Sequence, residues 1–246
     1  MSTSGNVGPA RPQSGQKRNM SKRAEIRAKR KREAKRNRII IICVIAIAAI
    51  GIAALFIIPN LPKDNLKGIA LSENMDFPLE DKNAIGDPNA PVKVEEFYDF
   101  NCSHCLDYAL NLEETIIKNY VATGKVYIVS HSFAFLDATS YTAAQAAYCA
   151  MDQGKYWEYK QTAFYNASLG MATPYSNENL INYASKLGLD KNTFQTCLEN
   201  KTYEQKLTED LQYGENNGVT GTPSFLINGQ VYGQSDLEQA IKDALK

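Results

Sequence analysis

The sequence predicts an α/β domain that is preceded by a single N-terminal transmembrane helix. Residues 39–58, IIIICVIAIAAIGIAALFII, form an apolar run of 20 residues without a charged side chain. Residues 92–133 predict a strand, a helix and a second strand, which is the order of a parallel βαβ unit. A mostly helical stretch follows at about 139–214, and after it come a hairpin and a further helix.

The charged residues separate at the apolar run. Residues 1–38 hold 13 of the 27 basic side chains and two of the 27 acidic ones. An apolar helix of about 20 residues spans a ~30 Å hydrocarbon core, and an excess of Lys and Arg marks its cytoplasmic side. The sequence therefore predicts a single-pass protein of the cell membrane, with a cytoplasmic tail at 1–38, an anchor at 39–58 and an extracytoplasmic remainder.

The basic tail is predicted to be largely disordered, because its first 20 residues are rich in Ser, Gly, Pro and Gln. Residues 21–38, SKRAEIRAKRKREAKRNR, carry the charge of a nucleic-acid-binding segment. Beside an apolar run, contact with anionic lipid headgroups is the favoured interpretation, so we expect the membrane as a partner and no nucleic acid. A cleaved signal peptide is the alternative to an anchor, although its apolar region is usually about 7–15 residues long.

The βαβ unit rests on three segments. VKVEEFYDF (92–100) and KVYIVSHSF (125–133) are rich in the β-branched and aromatic residues of strands. Between them, SHCLDYALNLEETIIKNYVATG (103–124) places apolar residues at helical spacing, and Gly124 ends the predicted helix. Parallel strands joined in this way need a right-handed crossover.

The flanking segments carry local turn and cap signals. Residues 59–85, with scattered Pro, Asn and Asp, predict an extracytoplasmic spacer that contains at most a short strand or turn. Asn228-Gly229 predicts a two-residue hairpin turn within TPSFLINGQVYG. In the last segment, SDLEQAIKDALK, Ser235 is predicted as the N-cap and Glu238 as its capping-box partner.

The chain contains five cysteines, and Cys43 lies within the apolar run. Cys102 and Cys105 form a CxxC motif, and Cys149 and Cys197 lie 48 residues apart in the helical stretch. An even number of extracytoplasmic cysteines permits two disulfides. For the second pair, a structural disulfide, an electron-relay pair and two buried thiols remain open.

The CxxC motif has three possible interpretations: a redox pair, half of a zinc site, or two cysteines that are neighbours by chance. A zinc site needs four ligands, but the chain has no second CxxC, and its histidines are His104, inside the motif, and His131. We therefore expect no metal. Since a strand ends and a helix begins at the motif, Cys102 lies at the helix N-terminus, where free N–H groups stabilise a thiolate. A redox pair is the favoured interpretation.

Two segments in order, GDPNAPVKVEEFYDFNCSHC (86–105) and GVTGTPSFLING (218–229), resemble the DsbA-like thiol–disulfide oxidoreductases, in particular the BdbD-type branch. The resemblance covers about residues 84–246. It implies a thioredoxin fold at 86–246 with an inserted helical domain at about 139–214. It also implies that Cys149 and Cys197 form a structural disulfide.

The resemblance also implies roles for single residues. Cys102 matches the attacking cysteine and Cys105 its buried partner. Thr222-Pro223 matches the cis-proline loop, which binds substrate beside the disulfide in this fold; an ordinary turn proline is the alternative.

The resemblance also bears on three further positions near the cysteines. Glu96 matches an acidic residue that is thought to assist proton transfer, and a surface acid is the alternative. His104 matches the histidine between the cysteines; protonated, it would stabilise the thiolate, whereas an exposed residue would have no influence. Ser103 stands where the family usually has Pro, so the family's oxidising potential does not carry over directly. His131 is predicted to be structural.

The sequence therefore predicts an extracytoplasmic enzyme that donates the Cys102–Cys105 disulfide to exported proteins and needs no cofactor. The implied partners are unfolded or reduced exported proteins and a quinone-linked membrane oxidase of the DsbB or VKOR type. One alternative is a disulfide reductase fed by a membrane electron donor. The other is a non-catalytic thioredoxin-fold module that acts in binding or as a chaperone.

Overall fold

The computed structural model describes residues 14–57, 68–73 and 76–246. The chain divides into two compact units, Met1–Lys63 and Asp64–Lys246. In the first unit, helix α1 (Ser14–Ile57) includes residues 14–38, which the sequence analysis assigned to a largely disordered tail. Ala, Lys, Arg and Glu dominate that segment, and all of them favour helix.

The predicted membrane anchor at 39–58 ends on a residue outside the described part of the chain. Among the residues that are described, none of the helices combines the length and the apolar character needed to cross a bilayer. The anchor therefore stays a prediction.

The second unit is built on a five-stranded sheet in the order β1-β3-β2-β4-β5. Its strands are β1 (Ala84–Ile85), β2 (Val92–Tyr98), β3 (Val126–Ser132), β4 (Ser224–Ile227) and β5 (Gln230–Gly233). Strand β2 lies at the centre, parallel to β3 and antiparallel to β4. Apolar side chains cover both of its faces: Val94 and Tyr98 belong to the larger core, and Phe97 to a smaller core.

One long helical segment connects β2 to β3. It consists of α2 (Ser103–Asp107), a π-helical segment (Tyr108–Leu112), α3 (Glu113–Ile116) and a second π-helical segment (Ile117–Val121). Every fourth residue along it is buried, namely Cys105, Ala109, Glu113, Ile117 and Val121. In an ideal α-helix a four-residue step drifts by about 40°. The wider π turns, which the sequence did not predict, correct this drift and keep one face on the core.

Five helices lie between β3 and β4, where the sequence analysis placed an inserted helical domain at about 139–214. They are α4 (Ala138–Met151), α5 (Tyr156–Ser168), α6 (Asn177–Lys186), α7 (Lys191–Glu199) and α8 (Glu204–Asn216). Asp137 caps α4 by accepting the Thr139 N–H at 2.7 Å. Five alanines of α4 are fully buried, so neighbouring helices approach its backbone closely.

The hairpin prediction is confirmed. Asn228 (φ 51°) and Gly229 (φ 78°) both adopt positive φ between β4 and β5, as a type I′ turn requires. The predicted capping box of the last helix is wrong. Helix α9 (Leu237–Ala244) has Asp236 at its N-cap without a side-chain hydrogen bond. The Glu238 carboxylate instead accepts the Tyr120 hydroxyl at 2.9 Å.

The predicted spacer is partly incorporated into the domain. Ile69 is 6% exposed and packs in the larger core. The Ala70 backbone exchanges two hydrogen bonds with the Asn166 side chain, at 3.0 and 2.8 Å. Glu80 accepts the Trp157 N–H at 3.1 Å, and β1 pairs with β3. Residues 59–67 of the predicted spacer lie outside the described residues. Short, weakly patterned segments such as 69–85 give no periodic signal, so the sequence placed the domain boundary too late.

Candidate active site

Cys102 ends the loop after β2 and occupies the N-cap of α2, with extended backbone angles (φ −81°, ψ 117°). Its sulfur accepts the Cys105 N–H at 3.4 Å, and its thiol donates to the Thr222 carbonyl oxygen at 3.1 Å. Both cysteines are free thiols in the structure. Cys102 is 8% exposed and Cys105 1% exposed, so Cys102 is the more accessible of the two residues.

The two thiols differ strongly in acidity. A hydrogen bond from the Cys105 side chain has the largest influence on Cys102; burial opposes it, and hydrogen bonds from the backbone of Cys105 and His104 reinforce it. Together they lower the pKa of Cys102 from 9.0 to about 5. Burial, reinforced by Cys102, raises the pKa of Cys105 far above its ordinary range. At neutral pH the site therefore holds a nucleophilic thiolate beside a protonated thiol.

The loop that faces Cys102 contains a cis peptide bond between Thr222 and Pro223. A shallow cleft beside this loop is lined by His104, Asp107, Thr222, Pro223, Gln234 and Ser235. His104 is exposed, and its backbone N–H is the group that hydrogen-bonds to Cys102. The electrostatic role of its imidazole stays a prediction.

Glu96 is 1% exposed in the centre of β2 and is therefore not a surface acid. Its carboxylate accepts two hydrogen bonds from Lys160 Nζ, at 2.8 and 2.6 Å, and one from Ser130 Oγ at 2.8 Å. Lys160 Nζ also donates to Glu113 Oε1 at 2.8 Å. We call Glu96, Lys160 and Glu113 the buried charge network.

The sequence analysis missed Lys160 and Glu113. Lys160 is 1% exposed, and its ammonium lies 4.8 Å from the ring centroid of Tyr98 and 4.5 Å from that of Trp157. Burial raises the pKa of Glu113 to about 7, although Lys160 opposes the shift. A single Lys within the aromatic helical segment YWEYKQTAFY could have indicated this ion pair. A Lys in such a segment is buried, and a buried ammonium needs carboxylate partners.

His131 makes structural contacts on the other face of the sheet. Its Nδ1 lies 2.9 Å from Asp210 Oδ1, and its Nε2 lies 3.3 Å from Glu95 Oε2. Burial would lower the pKa of His131, but these two carboxylates raise it. His131 thus links β3 to β2 and α8. Within residues 14–57, 68–73 and 76–246, no cluster of three or more His, Cys, Asp or Glu side chains is arranged to hold a metal ion.

The second cysteine pair is bonded. Cys149 of α4 and Cys197 of α7 form a disulfide with an S–S distance of 1.99 Å and a Cα–Cα distance of 5.8 Å. The bond joins the first and fourth helices of the insertion.

Residues 79–246 match the family described as Thioredoxin, so the chain belongs to this family. The chain is 27% identical over 202 residues to the probable disulfide bond formation protein D of Bacillus anthracis, covering 80% of this chain and 93% of that protein. It is 29% identical over 147 residues to the Na(+)/H(+) antiporter NhaA 3 of Salinispora tropica, covering 59% of this chain. This second match spans only 21% of the antiporter.

The fold is shared with solved structures. BdbD from Bacillus subtilis, in its oxidised form, superposes with a TM-score of 0.60 at 19% identity, covering 69% of this chain and 95% of that chain. The predicted thioredoxin-like α/β fold is thereby confirmed. The family, the relative from Bacillus anthracis and the paired cysteines support a protein-disulfide oxidoreductase.

Proposed function

We propose that the protein is an extracytoplasmic disulfide donor, anchored by residues 39–58, that oxidises reduced exported proteins with its Cys102–Cys105 disulfide. The observation that supports this direction most strongly is the position of the Cys102 sulfur at the N-cap of α2, where it accepts the Cys105 N–H at 3.4 Å, an environment that lowers the pKa of Cys102 to about 5. A stabilised thiolate favours the reduced form of the pair. Its disulfide is correspondingly a stronger oxidant.

The exchange begins from the Cys102–Cys105 disulfide. A substrate thiolate attacks Cys102 Sγ; a mixed disulfide forms, and Cys105 leaves and takes up a proton. The second substrate thiolate then attacks the substrate sulfur of the mixed disulfide, and Cys102 leaves as a thiolate. Two electrons pass from the substrate to the enzyme. Of the two protons that the substrate thiols lose, one ends on Cys105 and one in solvent.

The substrate would be an unfolded chain that lies along the cis-proline loop. In related recognition modes an extended peptide pairs with exposed backbone beside a sheet, and here Thr222 and Pro223 offer such a backbone. Phe135 (47% exposed) and Leu136 (49% exposed) follow β3 and present apolar surface. Unfolded proteins expose apolar side chains, so this surface adds affinity without sequence specificity.

The anchoring part of the proposal is supported by the apolar run and the charge asymmetry of the sequence. The resemblance to DsbA-like proteins implies reoxidation by a quinone-linked membrane oxidase of the DsbB or VKOR type. An anchor would hold both proteins in one bilayer and so raise their effective concentration.

Equilibrating the full-length protein in glutathione buffers tests the proposal. Cys102 and Cys105 are trapped by alkylation, and the oxidised fraction is read by mass spectrometry. A potential of about −120 mV supports a disulfide donor, and one of about −270 mV supports the alternative, a reductase fed by a membrane electron donor. A pair that never forms a disulfide overturns the redox function and leaves a binding module.

A further inference from the structure

Each of the three residues before Cys102 is hydrogen-bonded to a segment that follows β3 in the sequence. The first is Asp99, which is fully buried. Its Oδ1 accepts the Asn101 N–H at 2.8 Å, and its Oδ2 accepts the N–H groups of Phe135 and Leu136 at 2.9 and 3.1 Å. One carboxylate thus joins the cysteine loop to the segment that leads from β3 into α4.

The next two residues are held by the insertion itself. The Phe100 carbonyl accepts the Tyr175 hydroxyl at 2.8 Å, and the two rings lie 5.4 Å apart between centroids. The Asn101 amide donates to Thr139 Oγ1 and to Ser140 Oγ, both at 2.9 Å, in the first turn of α4. Three successive residues are therefore bonded to three different segments of the chain: the connection from β3 to α4, the connection from α5 to α6, and α4 itself.

We propose that these bonds form a clamp through which the helical insertion positions the Cys102 sulfur for reaction. The cysteine-loop clamp consists of the bonds from residues 99–101 to Phe135, Leu136, Thr139, Ser140 and Tyr175. The inference rests on the proposed attacking role of Cys102. It gives the insertion a function in the chemistry, with Asn101 and Tyr175 as positioning residues.

The clamp ends directly at the nucleophile. The Cys102 N–H donates to the Asp99 carbonyl at 3.1 Å, so a shift of the clamped loop moves Cys102 with it. The thiolate in turn depends on the Cys105 N–H, which donates to the Cys102 sulfur at 3.4 Å. Hydrogen bonds weaken steeply as their geometry departs from the optimum. A loosened clamp therefore weakens the stabilisation of the thiolate.

The test uses full-length Asn101→Ala, Tyr175→Phe and the double variant, all in the dithiol form. The rate of Cys102 alkylation by iodoacetamide is measured as a function of pH. None of these substitutions adds or removes a charge at neutral pH. The charged and titratable side chains of Asp99, His104 and Asp107 near Cys102 are the same in every variant. We expect Asn101→Ala to raise the midpoint of the alkylation rate against pH by about one unit. At a pH below the midpoints of both the wild type and the variant, this shift corresponds to a tenfold lower rate. Tyr175→Phe should shift the midpoint in the same direction by less.

Gln153→Ala is the matched control, because its side-chain amide bonds to the backbone N–H and carbonyl of Asp190, beyond the end of α4 that lies opposite the clamp. Its alkylation midpoint should equal that of the wild type. Urea unfolding of all variants separates lost stability from altered reactivity. If the double variant keeps the wild-type midpoint and glutathione equilibrium, the clamp serves only the fold and the inference is wrong. A wild-type midpoint near 9 would remove the reactive thiolate and overturn the proposed function as well.

Discussion

The domain contains two cysteine pairs with opposite environments. In the reactive pair, Cys102 and Cys105, the first sulfur lies at the N-cap of α2 and accepts a backbone N–H. In the structural pair, Cys149 and Cys197 each lie in the last turn of a helix, α4 and α7, and are bonded to each other. Burial does not distinguish the pairs, because Cys105 and Cys149 are both 1% exposed.

The position of each sulfur on its helix explains the difference. Free N–H groups and the positive end of the helix dipole stabilise a thiolate at an N-terminus, whereas the negative end disfavours one in the last turn. A stabilised thiolate makes a disulfide easier to reduce, and a destabilised thiolate makes it more persistent. The helix position thus makes the thiol of Cys102 reactive, whereas Cys149 and Cys197 form a stable crosslink.

The largest expected effect comes from removing the reactive sulfur. Cys102→Ala should reduce the oxidation of a reduced model protein to the uncatalysed background, because no other described thiol has the N-cap environment. The Cys149→Ala/Cys197→Ala double variant should keep the wild-type rate per folded molecule. Oxidation is followed by thiol titration, and a double variant that is inactive though folded would break the comparison.

The potentials of the two pairs should differ by at least about 100 mV. Structural disulfides typically lie below about −300 mV, and oxidising sites lie near about −120 mV. In a glutathione series, differential alkylation and mass spectrometry should show the reactive pair reduced while Cys149 and Cys197 remain joined. Simultaneous reduction of both pairs would show that helix position does not set their potentials.

Loss of the structural pair should act on stability. Its 48-residue separation predicts that the Cys149→Ala/Cys197→Ala variant loses about 4 kcal/mol of unfolding free energy. Urea unfolding followed by circular dichroism measures this loss. The dithiol form of the wild type, with Cys149–Cys197 intact, serves as the reference, and an unchanged midpoint would mean that the crosslink constrains nothing.

The smallest expected effect is a change in how the redox potential of the Cys102–Cys105 pair depends on pH. Below pH 5 both thiols of the reduced pair are protonated, so two protons accompany two electrons and the potential falls by about 59 mV per pH unit. Above the Cys102 pKa of about 5 only Cys105 binds a proton, and the slope falls to about 30 mV per unit. Potentials measured from pH 4 to 8 should show this break; a single slope of about 59 mV would contradict the low pKa.

Two departures from the sequence prediction arise because a side chain finds a partner that is far away in the chain. Glu238 has the spacing of a capping-box residue, but it hydrogen-bonds to Tyr120 instead. Glu96 was identified from the resemblance, whereas its ion-pair partner Lys160 lies 64 residues further on and was not. Both outcomes depend on which helices the fold brings against the sheet.

The sequence by itself determined the local features: strand β2, the helix start at Cys102 and the turn at Asn228-Gly229. These follow from composition and spacing over a few residues, and propensities act at that range. Only the tertiary structure decided which distant groups meet at the site. Tyr175 reaches Phe100 across 75 residues and Thr139 reaches Asn101 across 38, pairings without periodicity in the sequence. Packing brings each pair together, and burial makes the bond between Tyr175 and Phe100 necessary, because a buried polar group requires a partner.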